Sequence, residues 1–249
     1  MYRENIYEVI ETIGKKISTL VVPKNTGLKG YAWKVLKEAG LDLENFQIVA
    51  DAELRAKDLT VLLRRGEDIP QIVMDEFRQG RIVLGLTGDD LLDEFRLRQP
   101  DNTLKVENTY DWYDPRAKYL RPALCLIGKS GNIEKIPERV DLAVNDKYKY
   151  TSRLYLAKDP KLRGKLIYTT TYSGDLEQAV KSGARNYCID TVYTGKTSGD
   201  LGLTEVGEPI RFTDLVLVSA LRRDGPGLVE KMAMSIFGGE FLFINRQDR

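Results

Sequence analysis

The stretch NYCIDTVYTGKTSGDLGL, residues 186–203, decides how this chain is interpreted. Its first part, Tyr187–Ile189, is a short apolar run that predicts a buried strand ending at Asp190. The hydroxyl-rich turn that follows contains Gly195, where the backbone can approach a ligand closely. Consecutive backbone N–H groups in such a turn can form a nest for an anion.

The side chains around this turn suit a phosphorylated sugar. Threonine hydroxyls can donate to phosphate oxygens, Lys196 adds positive charge, and Asp190 can accept from ribose hydroxyls or a metal-bound water. An ordinary strand-to-loop turn can have the same composition, so a lone T-G-x-T is a weak signal and this alternative stays open. The predicted phosphate-binding set is Asp190, Thr191, Val192, Tyr193, Thr194, Gly195, Lys196 and Thr197.

Composition limits the class of protein. A chain of 249 residues with 42% hydrophobic and 30% charged residues is typical of a globular protein of one large or two modest domains. The net charge of +1 argues against a protein dedicated to nucleic acid, and no apolar run is long enough to span a membrane. With only Cys125 and Cys188 and no signal-peptide core, we expect a cytoplasmic protein without disulfides.

The sequence contains no histidine. This absence excludes nucleophiles activated by histidine and most zinc sites. Any chemistry must therefore use carboxylates, lysine, arginine, hydroxyls, backbone amides or a bound hard cation.

Short strands alternate with helices along the chain, which predicts an α/β fold with parallel-rich sheets. The polar, proline-punctuated segment 98–120 is interpreted as the crossing into a second lobe. Ligands in such folds bind at the carboxyl ends of strands. Four further residues lie at predicted strand ends and are expected to face the same cleft as the turn: Lys24, Arg65, Gly88 and Asp90.

The segment from Asp190 to Thr197, closing at Gly202 and Leu203, resembles the phosphoribosyl-pyrophosphate loop of ATP phosphoribosyltransferases, D-x-V-x-T-G-x-T with G-L a few residues on. Upstream, the sequence GDLE, which ends at Glu177, is similar to the family's G-S-V-E.

Earlier parts of the chain resemble the same family more loosely. The block RGEDIP, residues 65–70, and the later LGLTGDDLL, residues 84–92, are similar to its R-x-x-D-I-P and L-G-I-x-G-x-D-x-L. Lys24 matches the lysine of an N-terminal P-K-G-R-L motif, but Thr26 and Gly27 replace its Gly-Arg pair.

The resemblance implies two periplasmic-binding-protein-like lobes (type II), with parallel-rich mixed sheets and a cleft between them. Residues 1–108 and 206–249 would form lobe 1, and residues 109–205 lobe 2 with the phosphate loop. The chain has the length of the family's short forms, which depend on a separate regulatory subunit. A homo-oligomer or a complex with such a subunit is therefore expected.

The resemblance also implies an activity: transfer of the 5-phosphoribosyl group from phosphoribosyl pyrophosphate to ATP, the first step of histidine biosynthesis, or to a related acceptor. It implies a catalytic role for Glu177 and Asp190, contacts of Lys24, Arg65, Gly88 and Asp90 with ATP or pyrophosphate, and Mg²⁺ as cofactor without assigned protein ligands. Two alternatives remain: a two-lobed sensor of a small metabolite without turnover, and a silent subunit of a phosphoribosyltransferase complex.

Overall fold

The computed structural model of this protein describes residues 17–56 and 59–220. The helices predicted at 3–16 and 228–237 and the strand predicted at 241–244 lie outside the described residues. Within the described part, no helix has the length and apolar character needed to cross a membrane.

The chain divides into two compact units. Among the described residues, the first contains the chain up to Gly88, residues 101–110 and residues from Leu215 onward, and the second contains 89–100 and 111–214. These boundaries differ from the predicted ones at 108/109 and 205/206. The difference arises because residues 89–100 and 206–214 make their contacts in the second unit, where Arg211 binds Asp89 and Asp93.

The secondary structure alternates as the sequence predicts. The strands are β1 (Ile17–Pro23), β2 (Gln47–Ala50), β3 (Glu53–Ala56), β4 (Leu59–Arg64), β5 (Ile82–Gly88), β6 (Leu104–Tyr110), β7 (Ala123–Gly128), β8 (Arg139–Asn145), β9 (Leu166–Tyr172), β10 (Tyr187–Val192), β11 (Thr204–Glu205), β12 (Arg211–Phe212) and β13 (Leu215–Ala220). The α-helices are α1 (Thr26–Glu38), α2 (Ile69–Arg78), α3 (Asp89–Arg98), α4 (Lys149–Lys158), α5 (Leu176–Lys181) and α6 (Lys196–Asp200).

The first unit contains a seven-stranded mixed sheet in the order β2-β3-β4-β1-β5-β13-β6. β1 pairs in parallel with β4 on one side and β5 on the other, so the carboxyl ends of these three strands share one edge. Helix α1 buries Ala32, Val35 and Leu36, spaced three and four residues apart, in the core of this unit.

The second unit contains a sheet in the order β11-β7-β10-β8-β9, with β12 also paired to β7. β10, β8 and β9 run parallel, and β7 is antiparallel to β10. The two cysteines lie on the paired strands β7 and β10, and both are free and buried, as predicted. Burial raises the pKa of the Cys125 thiol to about 12.

Four strands were not predicted: β3, β6 and the two-residue strands β11 and β12. β6 lies within the segment interpreted as a linker because its sequence, LKVENTY, is mostly polar. Its pairing with β13 and the burial of Leu104 and Tyr110 explain why it is nevertheless a strand. The sequence signal was an alternation too interrupted by polar residues to be recognised.

Candidate active site

The candidate site occupies the carboxyl edge of the second sheet. Because β10, β8 and β9 are parallel neighbours, the loops that follow them start at the same edge. These loops are residues 193–195 after β10, 146–148 after β8 and 173–175 after β9. The loop after β10 contains the predicted phosphate-binding turn, which we call the phosphate loop (residues 193–197).

Asp190 is the central carboxylate of this edge. Its Oδ1 accepts hydrogen bonds from Asn145 Nδ2 at 3.0 Å and from the Thr191 amide at 2.8 Å. Burial raises the pKa of Asp190, while these two hydrogen bonds and the charge of Lys147 oppose the rise. Burial, followed by the charge of Asp190, also raises the pKa of Glu177. The two predicted catalytic carboxylates therefore lie close enough to influence each other.

A buried chain of hydroxyls supports the end of β10. The Thr191 hydroxyl donates to the Tyr148 oxygen at 3.2 Å, and the Tyr148 hydroxyl donates to Asp90 Oδ2 at 2.5 Å. Asp90 is only 3% exposed, and within the described part of the chain its Oδ1 has no hydrogen-bond partner. Burial and the charge of Asp90 raise the pKa of Tyr148 well above its ordinary value. Asp90 thus holds Tyr148, and its burial argues against direct contact with a substrate.

The phosphate loop has an open outer face. Gly195 adopts a left-handed conformation with φ 72°, which a residue with a Cβ would adopt only with strain. The Thr194 hydroxyl accepts from the Lys196 amide at 3.2 Å, and the Ser198 hydroxyl donates to the Gly195 carbonyl at 3.2 Å. The side chains of Thr194, Lys196 and Thr197 are exposed, so they are accessible to a ligand.

The remaining two members of the predicted set face the protein. Val192 is buried in the core of the second unit. The Tyr193 ring lies 6.3 Å from that of buried Trp112, and its hydroxyl donates to Asp114. These side chains fix the start of the phosphate loop and do not reach the open face.

In the first unit, Lys24 and Arg65 lie in neighbouring loops at the carboxyl edge of its sheet. The Lys24 amide donates to the Arg64 carbonyl at 2.7 Å, and the Gly66 amide donates to Asn25 Oδ1 at 2.9 Å. The side chains of Lys24 and Arg65 are exposed. Gly88 is buried at the end of β5 in the same unit, whereas Asp90 belongs to the second unit.

The described residues contain no group of three or more His, Cys, Asp or Glu residues that could hold a metal ion. A Mg²⁺ ion bound with a phosphorylated ligand would be held mainly by ligand phosphates and water, with at most one or two carboxylates. Asp190 is the carboxylate at the phosphate-loop edge that could contribute.

Sequence reasoning missed three residues of the site: Asn145, Tyr148 and Lys147. Lys147 precedes α4, and its ammonium lies 5.3 Å from the centre of the Tyr148 ring. The available signal was the position of NDKY directly after a β-rich run, which is the carboxyl end of a strand.

The fold defines an α/β protein of two lobes, of the periplasmic-binding-protein-like type II class, and the glycine-containing loop 193–197 lies at the carboxyl edge of the sheet in the second lobe. The chain matches the family HisG, ATP phosphoribosyltransferase, over residues 65–237, which is well over half of its length. This protein belongs to the ATP phosphoribosyltransferase family.

Named relatives agree with this assignment. The chain is 28% identical over 215 residues to the ATP phosphoribosyltransferase of Streptomyces avermitilis, covering 85% of this chain and 66% of that protein. It is 27% identical over 205 residues to that of Schizosaccharomyces pombe, covering 79% and 63%. The chain therefore spans slightly less than two thirds of the length of these two relatives.

A solved structure supports the fold. A chain of the ATP phosphoribosyl transferase (HisG:HisZ) complex from Thermotoga maritima superposes with a TM-score of 0.60 at 19% identity. The match covers 88% of this chain and 98% of that chain. At this identity the likeness establishes the architecture alone.

Proposed function

We propose that this protein transfers the 5-phosphoribosyl group of phosphoribosyl pyrophosphate to N1 of ATP, which is the first step of histidine biosynthesis. The observation that carries the proposal is the position of Asp190, oriented by Asn145, at the start of an open glycine-containing loop in a member of this family. The N1–C1′ bond forms as the bond from C1′ to the pyrophosphate oxygen breaks, and pyrophosphate leaves.

The second unit binds the donor in this proposal. Asp190 accepts hydrogen bonds from the ribose hydroxyls, since Asn145 and the Thr191 amide occupy only its Oδ1. Thr194, Gly195, Lys196 and Thr197 bind the 5′-phosphate through hydroxyls, backbone amides and the lysine charge. Glu177, close enough to Asp190 to feel its charge, assists on the ribose side.

Catalysis in this proposal depends on positioning and electrostatics. A transition state with oxocarbenium character develops positive charge at the ribose ring, and a nearby carboxylate such as Asp190 stabilises it. The hydroxyl chain through Thr191, Tyr148 and Asp90 holds the end of β10 in place. Mg²⁺ would neutralise the charge of the leaving pyrophosphate.

The acceptor side is proposed to involve Lys24 and Arg65, whose exposed cationic side chains suit ATP or pyrophosphate phosphates. Thr26 and Gly27 stand where the resembled motif has Gly-Arg. This departure favours a second candidate on the acceptor side, namely a related acceptor in place of ATP.

We also propose that the chain acts in an assembly, either as a homo-oligomer or with a regulatory subunit. The support is that the Thermotoga maritima chain of similar extent was solved as a HisG:HisZ complex.

The test is pyrophosphate release by the purified chain with phosphoribosyl pyrophosphate, ATP and Mg²⁺. Activity is expected in the wild-type chain and strongly reduced in Thr194→Ala, whereas Thr169→Ala, on an exposed position of β9, is the matched control. Donor binding without release, alone and with other acceptors, would contradict turnover and indicate a sensor. Release that begins only when another chain is added, and that is not reduced by Thr194→Ala in this chain, would indicate a silent subunit.

A further inference from the structure

The phosphate loop rests on a short segment, residues 114–118, which we call the strap. The Lys118 amide donates to the Tyr193 carbonyl at 2.8 Å. Asp114 accepts from the Tyr193 hydroxyl and from Arg116, whose Nη2 lies 2.7 Å from Asp114 Oδ2. The strap therefore contacts Tyr193, two positions before Gly195, through both its backbone and its side chains.

A buried carboxylate lies beneath the glycine of the loop. A Cβ at Gly195 would lie 3.1 Å from Cδ of Lys118 and 3.6 Å from Oε1 of Glu205. The Glu205 side chain is only 6% exposed. A negative charge so close to the loop backbone would repel a phosphate group, and burial strengthens that repulsion.

Lys118 supplies the compensating charge. Its ammonium pairs with Glu205 Oε2, while Oε1 has no hydrogen-bond partner among the residues that the structure describes. A buried carboxylate left without its cation is strongly unfavourable. With the lysine in place, the pair beneath the loop is neutral overall.

We propose that Lys118 is a positioning residue of the phosphate loop: it neutralises Glu205 and thereby keeps the loop able to accept a phosphate group. Lys118 acts through Glu205 and through the Tyr193 carbonyl, and it does not itself touch the ligand. The inference rests on the proposed function for the identity of that ligand, a 5-phosphorylated ribose.

The experiment is calorimetric titration of the full chain with ribose 5-phosphate and with phosphoribosyl pyrophosphate. Lys118→Met should weaken both affinities about tenfold, because one uncompensated charge then faces the phosphate. Glu205→Gln should bind at least as tightly as wild type, and the double variant should return to within about threefold of wild type. Lys161→Met, which breaks the exposed ion pair with Glu134, is the control and should change nothing.

Two results would overturn the inference. An unchanged affinity in Lys118→Met would show that the pair has no influence on the loop. A double variant as weak as Lys118→Met would show that the lysine contacts the ligand or only braces the fold; amide hydrogen exchange of residues 193–197 without ligand separates these cases. Tight binding without pyrophosphate release would contradict the proposed function alone, whereas binding of neither compound would contradict both.

Discussion

The carboxyl edges of the two sheets differ in which charged side chains they carry and in how exposed these side chains are. In the first unit, Lys24 and Arg65 are exposed, and the loops that carry them are joined by backbone bonds and by Asn25. In the second unit, the phosphate loop carries the exposed Lys196, and three carboxylates of the site and its support are buried or half-buried: Asp90, Asp190 and Glu205.

This difference indicates which of the two units contains site residues that lower its stability. Exposed cations cost little, because water solvates them. Buried carboxylates are costly when one oxygen lacks a hydrogen-bond partner, as is the case for Asp90 and Glu205 within residues 17–56 and 59–220, and they are retained only where the arrangement serves a purpose. The comparison therefore assigns the more demanding binding task to the second unit.

The largest expected effect comes from removing the charge at the second edge. Asp190→Asn should weaken binding of phosphoribosyl pyrophosphate roughly 30- to 100-fold, since a hydrogen bond to a charged acceptor contributes about 2–3 kcal/mol. Titration calorimetry measures this change, and Asp141→Asn, toward the start of β8, is the control. An affinity within error of wild type would show that the phosphate loop is not part of the donor site.

The second-largest expected effect is on the stability of the second unit, and it acts through the buried carboxylate of Asp90. Tyr148→Phe removes the only described partner of the Asp90 carboxylate and should lower the free energy of unfolding of the second unit by about 2–3 kcal/mol. Urea unfolding followed by Trp112 fluorescence in a Trp33→Phe background reports on that unit, because Trp33 belongs to the first. Tyr113→Phe, at a position 62% exposed, should leave the midpoint unchanged. Equal midpoints in both variants would contradict a structural role for Asp90.

The third prediction uses pH. Burial raises the pKa of Asp190, so its carboxylate form is lost as the pH falls through a value above that of an exposed aspartate. Donor affinity should therefore fall on mild acidification, beginning at a higher pH than an exposed aspartate would give, and this dependence should be weaker in Asp190→Asn. For this group, acidification favours the folded state, since the folded pKa is the higher one. Donor affinity that is independent of pH above the range of exposed carboxylates would contradict the assignment.

The smallest effect is expected at the first edge. Arg65→Ala should raise the KM for ATP about fivefold while donor affinity stays unchanged, because an exposed cation contributes at most about 1 kcal/mol. Arg78→Ala, on α2 and paired with Asp75, is the control. If Arg65→Ala weakens donor binding instead, the division of tasks between the two edges is wrong.

The sequence predicted the contiguous residues of the site better than it predicted the distant residues that hydrogen-bond to them. The apolar run before Asp190 and the glycine of the turn lie within one short segment, and β10 begins at Tyr187 as this pattern predicts. The strand continues two residues past Asp190, to Val192, before the loop begins. The bonds that orient the site join residues far apart: Asn145 to Asp190 across 45 positions and Tyr148 to Asp90 across 58. No periodicity of a single segment contains such pairings.

The same limit explains the boundaries of the units. Arg211 binds Asp89 across 122 positions, which ties the chain before β13 to α3 in the second unit. The family resemblance instead implied that residues 206–214 belong to the first lobe. The physical cause is an ion-pair cluster whose members are distant in sequence, and its effect is visible only once the strands are paired.

The two buried cysteines can be used to measure how often the strands beside the site open. Both thiols of the sequence lie in the second unit, and Cys125 is the pairing partner of Asp190 across β7 and β10. Thiolate, not thiol, reacts with alkylating dyes, and burial with a raised pKa keeps both groups protonated in the folded chain. The rate at which a dye labels the two thiols therefore reports how often strands β7 and β10 separate. The first unit does not contribute to this rate, because both cysteines lie in the second unit.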